Sequence, residues 1–270
     1  MTATFELPED IVGLEDYTEC INLMIYGDPG VGKTVVAGTA KSGLILATEA
    51  GTVAAARQGS KAKVWNAVRK WHAIEDCYEW VYDNVEKPGF PFDWIAIDTI
   101  TEMQNMILRY IVDTRVTEGK AKNLNPYKTD LPEYGEMHEM FKDWVGKFND
   151  LPINTLWTAE AMQVEDEEGQ EFRLPALQGK GYQIAMWTAA QMHAYGYMHM
   201  REAEHPKTHR VQTVRSIQWQ ASPNVRAKDR FDCLGMYTNH PKGQQTLQAL
   251  EKKIIDSASV AETTPVKENA

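Results

Sequence analysis

The 270-residue sequence predicts an α/β fold, a mostly parallel central sheet flanked by helices, and three observations predict it. Short apolar runs alternate with longer stretches of helical period. A glycine-rich segment joins the first apolar run to the first helical stretch. Beyond residue 181 the pattern changes to strict alternation in two neighbouring segments, which reads as a C-terminal β-hairpin extending the sheet at its edge.

Taken in order, residues 1–20, MTATFELPEDIVGLEDYTEC, are acidic and lack a strong period, so they read as an arm leading into the first strand. INLMIYG (21–27) is the first strand, and a helical stretch follows over 32–42. GLILATEAG (43–51) is the second. Over 64–84, Trp65, Val68, Trp71, Ile74, Tyr78 and Val81 recur at spacings of three and four, which predicts one helix with a core-facing stripe. FDWIAIDTI (92–100) and INTLWTAE (153–160) are further strands, with helices expected over 101–115 and 133–149 between them. MHAYGYMHMR (192–201) sets Met192, Ala194, Gly196, Met198 and Met200 against His193, Tyr195, Tyr197 and His199, and RVQTVRSIQWQ (210–220) completes the hairpin. That alternation accounts for His193 and His199, and a polar turn for His205 and His209, without a metal. Residues 251–270 carry no aromatic residue and end in small and charged types, so they read as a flexible tail. One domain, residues 21–250, is expected between arm and tail.

Hydrophobic residues at 43% and charged residues at 24% are globular values. A net charge of -10 excludes a surface that is basic everywhere, so any nucleic-acid contact must be local. Cys20, Cys77 and Cys233 are widely separated and odd in number, which suits a reducing cytoplasm and forms neither a disulfide framework nor a zinc spacing. No basic-then-apolar leader appears, and no apolar run approaches the ~20 residues of a membrane span. A cytoplasmic protein with no membrane partner is expected.

GDPGVGKT, comprising Gly27, Asp28, Pro29, Gly30, Val31, Gly32, Lys33 and Thr34, satisfies G-x-x-x-x-G-K-[ST] between a strand and a helix. The glycines let the backbone curl so that successive N–H groups face phosphates, and the helix start adds its positive dipole end. Lys33 is expected to reach the β- and γ-phosphates of ATP, and the Thr34 hydroxyl to be a magnesium ligand. WIAIDTI ends a strand at Asp98, the second candidate for the magnesium shell. A hydrolase also needs a carboxylate to polarise the attacking water, and the residue after Asp98 is Thr99. The other acid at a strand's carboxyl end close to the nucleotide is Glu49, the expected general base, because open α/β sheets gather their chemistry at those ends.

These motifs resemble the RecA-like recombinase ATPases, and within them the short, phage-encoded, single-domain members associated with single-strand DNA annealing. The resemblance spans about residues 20–235 and implies a RecA-like P-loop NTPase core that works as a homo-oligomer, a ring or a filament. It places the catalytic glutamate at Glu49, the magnesium-site aspartate at Asp98, and a γ-phosphate sensor at Glu160 in LWTAEAMQ, where the family usually has an amide. Gln163 is the alternative sensor. It also implies that Lys228 and Arg230 of AKDR reach across to a neighbour's ATP, since two cations flanking one residue point to the same side of an extended segment.

Single-stranded DNA is the implied partner, with a cognate single-strand-binding protein as a further one. Between Arg109 and Lys128 five cations face two acids, and EGKAKNLNPYK adds a stacking ring, so Lys120, Lys122, Tyr127 and Lys128 are expected DNA contacts. A second mobile loop over 161–183 offers Arg173 and Lys180. The expected function is a DNA-stimulated ATPase that promotes strand annealing or exchange in phage-type homologous recombination. Two alternatives stay open: a P-loop kinase of a small molecule or nucleotide, which needs an arginine-rich lid that the loops do not offer, and an ATP switch for assembly or helicase loading, which could dispense with Glu49.

Overall fold

Strand β1 (Asn22–Gly27) is buried at every residue, and its side chains divide between two cores by the period-two rule. Met24 and Tyr26 face one side, Leu23 and Ile25 the other. The computed structural model describes residues 20–119, 125–204 and 209–261, so residues 1–19 of the expected arm lie outside it. From β1 the chain continues through α1 (Lys33–Ala37), β2 (Gly43–Ala47), α2 (Val53–Arg57), β3 (Lys63–Asn66), α3 (Trp71–Asn84), β4 (Trp94–Asp98), α4 (Ile100–Thr117) and α5 (Leu131–Asn149). There follow β5 (Asn154–Glu165), β6 (Glu171–Pro175), α6 (Gln183–Gln191), β7 (Ala194–Glu204), β8 (Val211–Gln218), β9 (Lys228–Asp229), β10 (Tyr237–Asn239) and α7 (Thr246–Ala261).

The sheet runs in the order β10-β8-β7-β1-β5-β4-β2-β3. The six strands from β7 to β3 are mutually parallel. β8 extends them antiparallel to β7, as the C-terminal hairpin required, and β10 pairs antiparallel with β8 in turn. β7 itself lies inside the sheet, parallel to β1, and the antiparallel edge begins at β8. The α1 face packs Val36 and Ala37 with Leu247, Leu250 and Ile254 of α7 over Trp94 and Trp219. The opposite face buries Trp71 and Ile74 of α3, Met103 and Ile107 of α4, and Phe141 and Phe148 of α5 over Trp157. Two long helices start on side-chain caps: Thr99 accepts from the N–H of Glu102, and Asp130 with Glu133 forms a capping box.

Three expectations are corrected. The single helix over 64–84 is a strand and a helix: β3 pairs parallel with β2, Trp65 opposite Leu46, and the helix starts only at Trp71. The mobile loop over 161–183 is a hairpin in which β5 and β6 pair antiparallel from Ala161↔Pro175 to Glu165↔Glu171, followed by the start of α6. The flexible tail from 251 is helical as far as Ala261, with Ile254 packed into the α1-face core. No helix among the described residues is long and apolar enough to cross a membrane.

Candidate nucleotide-binding site

β1 delivers Gly27 to the carboxyl edge of the sheet, level with Glu160 on β5 and Met198 on β7. A Cβ at position 27 would stand 2.3 Å from the Met198 carbonyl oxygen, so the chain can pass only as glycine. Gly30 and Gly32 turn the loop with φ of 80° and 113°, a region that disfavours side chains. Asp28, Pro29 and Gly30 lie exposed at the mouth, and Val31 and Gly32 lie half-buried behind them.

Lys33 opens α1 and is 6% exposed. All three of its ammonium donors are engaged: by the carbonyls of Gly27 at 2.8 Å and Asp28 at 3.2 Å, and by Glu160 Oε1 at 3.1 Å. Glu160 is thus the counter-ion of the loop lysine. Its own N–H is held by Thr101 Oγ1 at 3.0 Å. Of the two sensor candidates, Glu160 stands in the site; Gln163 is exposed on the β5–β6 hairpin, opposite Arg173.

Thr34 Oγ1 donates to Asp98 Oδ2 at 2.7 Å, and Thr158 donates to the other carboxylate oxygen. Asp98 is 2% exposed. A hydroxyl and a carboxylate oxygen so juxtaposed are the hard donors magnesium prefers, so these residues fit the ion. Glu49 lies two residues beyond the end of β2, where Ala47 pairs with Asp98. Thr48 ties the two strand ends together, donating to the Thr99 carbonyl at 2.9 Å while its hydroxyl oxygen accepts the Thr99 N–H at 2.8 Å. Burial pushes the Glu49 carboxyl up from its ordinary pKa; the charges of Asp98 and Glu160 push the same way, and Lys33 opposes them. The structure therefore gathers Glu49, Asp98, Thr34, Lys33 and Glu160 into one group. Sequence reasoning missed Thr48 and Thr101, whose only signal was a hydroxyl residue just beyond a strand's carboxyl end, and Thr158, which lies within β5 and had no signal.

Lys228 and Arg230 stand apart from this group. Lys228 is in register with Tyr195, three residues before Met198, which is about 10 Å along the strand from the level of the loop. Both side chains do point the same way, but onto the end of α6: Lys228 Nζ donates to the carbonyls of Ala189 at 3.0 Å and Ala190 at 3.3 Å, and Arg230 to that of Ala190 at 3.2 Å. Within the subunit they cap a helix C-terminus. Burial, and then Arg230, push the Lys228 pKa down to about 8.

Of the expected DNA contacts, Lys120 and Lys122 lie outside the described residues. Tyr127 is 95% exposed and Lys128 is exposed beside it, just ahead of α5. Arg173 is on β6 with its guanidinium 5.6 Å from the Tyr197 ring, and Lys180 is exposed before α6.

A family model described as an AAA domain matches residues 20–231. Among solved structures the chain is similar to the KaiC-like protein PH0186 from the hyperthermophilic archaeon Pyrococcus horikoshii OT3, at 12% identity and a TM-score of 0.40, over 83% of this chain and 92% of that one. No curated protein matches it. The family match takes in every residue gathered around the loop, from Gly27 to Glu160, and the chain therefore belongs to the AAA domain family, as a nucleotide-binding P-loop ATPase.

Proposed function

We propose that the chain is an ATP-hydrolysing, oligomeric, single-stranded-DNA-binding protein that promotes strand annealing or exchange in phage-type homologous recombination. The observation that carries hydrolysis is Glu49, a half-buried carboxylate placed beside Asp98 at the carboxyl edge of the sheet. There it can orient a water against the γ-phosphorus and accept its proton as the new oxygen–phosphorus bond forms, while the bond from that phosphorus to the bridging oxygen breaks and ADP leaves. The loop N–H groups and Lys33 bind the phosphates, Lys33 exchanging Glu160 for a phosphate oxygen. A magnesium ion held by Thr34 and Asp98 would neutralise charge between the β- and γ-phosphates.

The DNA half draws support from Tyr127, a ring left almost wholly in solvent and followed by Lys128; Arg109 and Arg115 of the same stretch are paired within the subunit with Glu102 and Glu136 and add no free charge. Stacking rings beside cations suit single strands of any sequence. In the oligomer, Lys228 and Arg230 of one subunit leave the carbonyls of α6 for the γ-phosphate of the next, where such charge is worth orders of magnitude in rate. The test is the ATPase rate with and without single-stranded DNA. A severalfold stimulation is expected, and a rate indifferent to DNA would turn the reading towards the kinase or the switch.

A further inference from the structure

Strands β7 and β8 run past the loop as a two-stranded ribbon. Met198 is level with Gly27, and β8 sets Arg215 opposite Met200, two residues further on. Arg215 lies on the same face of β8 as Ile217, which is buried in the α1-face core with Trp219 just past the strand's end, so its side chain is directed to that face. There it meets the phosphate loop from the side away from Glu160. A Cβ built on Gly32 would stand 3.6 Å from Arg215 Cδ and 3.8 Å from its Nε. Gly32 immediately precedes Lys33, so the guanidinium is lodged against the segment whose N–H groups are turned to the phosphates.

Nothing among the described residues pairs with this cation. Its Nε is buried without a hydrogen bond. The other arginines of this region are matched: Arg201 by Ser216, Asn239 and the Tyr237 ring, Arg173 by the Tyr197 ring, and Arg226 by the Phe172 ring at 4.0 Å. Arg215 instead acts on another potential cation. His240 is 2% exposed with its Nε2 unpartnered, and its pKa is pushed down by burial and then by Arg215. A half-buried cation with a bare donor is a cost to the ligand-free fold that an arriving anion relieves.

We propose that Arg215 is a phosphate-binding residue supplied in cis by β8, which clamps the α- and β-phosphates of a nucleoside di- or triphosphate from the outer side of the loop. This rests on the nucleotide site read above. Lys33, paired with Glu160, faces the side where the γ-phosphate is processed, and Arg215 faces the other. Arg215 therefore acts on the part that ADP and ATP share.

Calorimetric titration of ADP and of ATP into the full chain tests this with Arg215→Gln and Arg215→Lys. Exchanging the guanidinium for a neutral amide removes a charge-assisted hydrogen bond to phosphate, so Arg215→Gln raises both Kd values by about tenfold or more and by similar factors. Arg215→Lys restores part of the affinity, because it keeps the charge without the planar fork. The ligand-free Arg215→Gln protein unfolds at or above the wild-type temperature, since an unpaired cation has been removed. Kd values within about twofold of wild type in folded Arg215→Gln, or a lowered unfolding temperature with unchanged Kd values, overturn the proposal. Should the Gln variant fail to fold, an Arg215→Lys variant that binds both nucleotides as the wild type does overturns it equally. Wild-type protein that binds neither nucleotide removes the nucleotide site itself; wild-type binding matched by Arg215→Gln removes Arg215 alone.

Discussion

The Lys33 ammonium has three donors and three acceptors, so it is saturated before any nucleotide arrives. On the proposed function, a phosphate oxygen takes the place of Glu160 at Lys33, and the released carboxylate then faces the γ-phosphate beside Glu49 and Asp98. Burial, and then the charges of Asp98 and Glu160, already raise the pKa of Glu49. The sign for activity follows directly. The carboxylate is the form that takes a proton from water, and it is lost as pH falls through a value above the usual glutamate range. The ATPase kcat/KM should decline on that acid limb, and kcat/KM is the parameter that reports the free enzyme. Glu49→Gln is expected to bind ATP while kcat falls by about a hundredfold or more, measured by single-turnover hydrolysis. Wild-type turnover in that variant rules Glu49 out as the base. The positions of Lys33, Thr34, Asp98 and Glu49 are legible in the sequence, because a loop motif and strand ends specify them locally. The choice between Glu160 and Gln163 is not, since it depends on where β5 passes the loop.

Among the elements, the boundaries that differ from expectation share a cause. Trp65 fits the helical spacing of Trp71, Ile74 and Tyr78, yet it reaches the same layer from a strand, its ring 5.9 Å from that of Trp80. Periodicity reports which residues face a core, and two consecutive elements that cover one core mimic a single period. The acids of VEDEEGQ suggest a loop, but they sit at the tip of a hairpin turned by Gly169 at φ 80°. Leu247, Leu250 and Ile254 are spaced as one helical stripe, and a boundary at 250 cuts through it. At this scale Lys228 and Arg230 act as the C-terminal cap of α6. Lys228→Ala with Arg230→Ala should destabilise the chain by about 1–2 kcal/mol, a value held down by solvent at Arg230, with the urea midpoint as the measurement. An unchanged midpoint would mean that the pair contributes nothing to the cap and is free for another role.

For the whole molecule the question is whether the active site closes within one chain. Glu49, Asp98, Lys33 and Arg215 come from the subunit's own strands and loop, whereas Lys228 on β9 and Arg230 after it are held on the end of α6, Lys228 level with Tyr195 and about 10 Å along the sheet from the loop. If they serve a neighbour, mixing Lys33→Ala subunits with Lys228→Ala/Arg230→Ala subunits should restore a measurable fraction of the ATPase activity that each lacks alone. A flat response at every ratio leaves the two cations with the helix cap. A net charge of -10 makes such basic sites local, so an assembly built on them should loosen as salt rises.

By itself the sequence determined the α/β class, the phosphate loop, the strand-end acids and the C-terminal hairpin, because each is written in contiguous residues through a motif or a period. Only the tertiary structure decided that Glu160 neutralises Lys33 from 127 positions away, that Lys228 and Arg230 close α6, and that Arg215 rests unpaired on Gly32. Those meetings depend on strand order and register, where a slip of one residue would turn each side chain to the opposite face of the sheet.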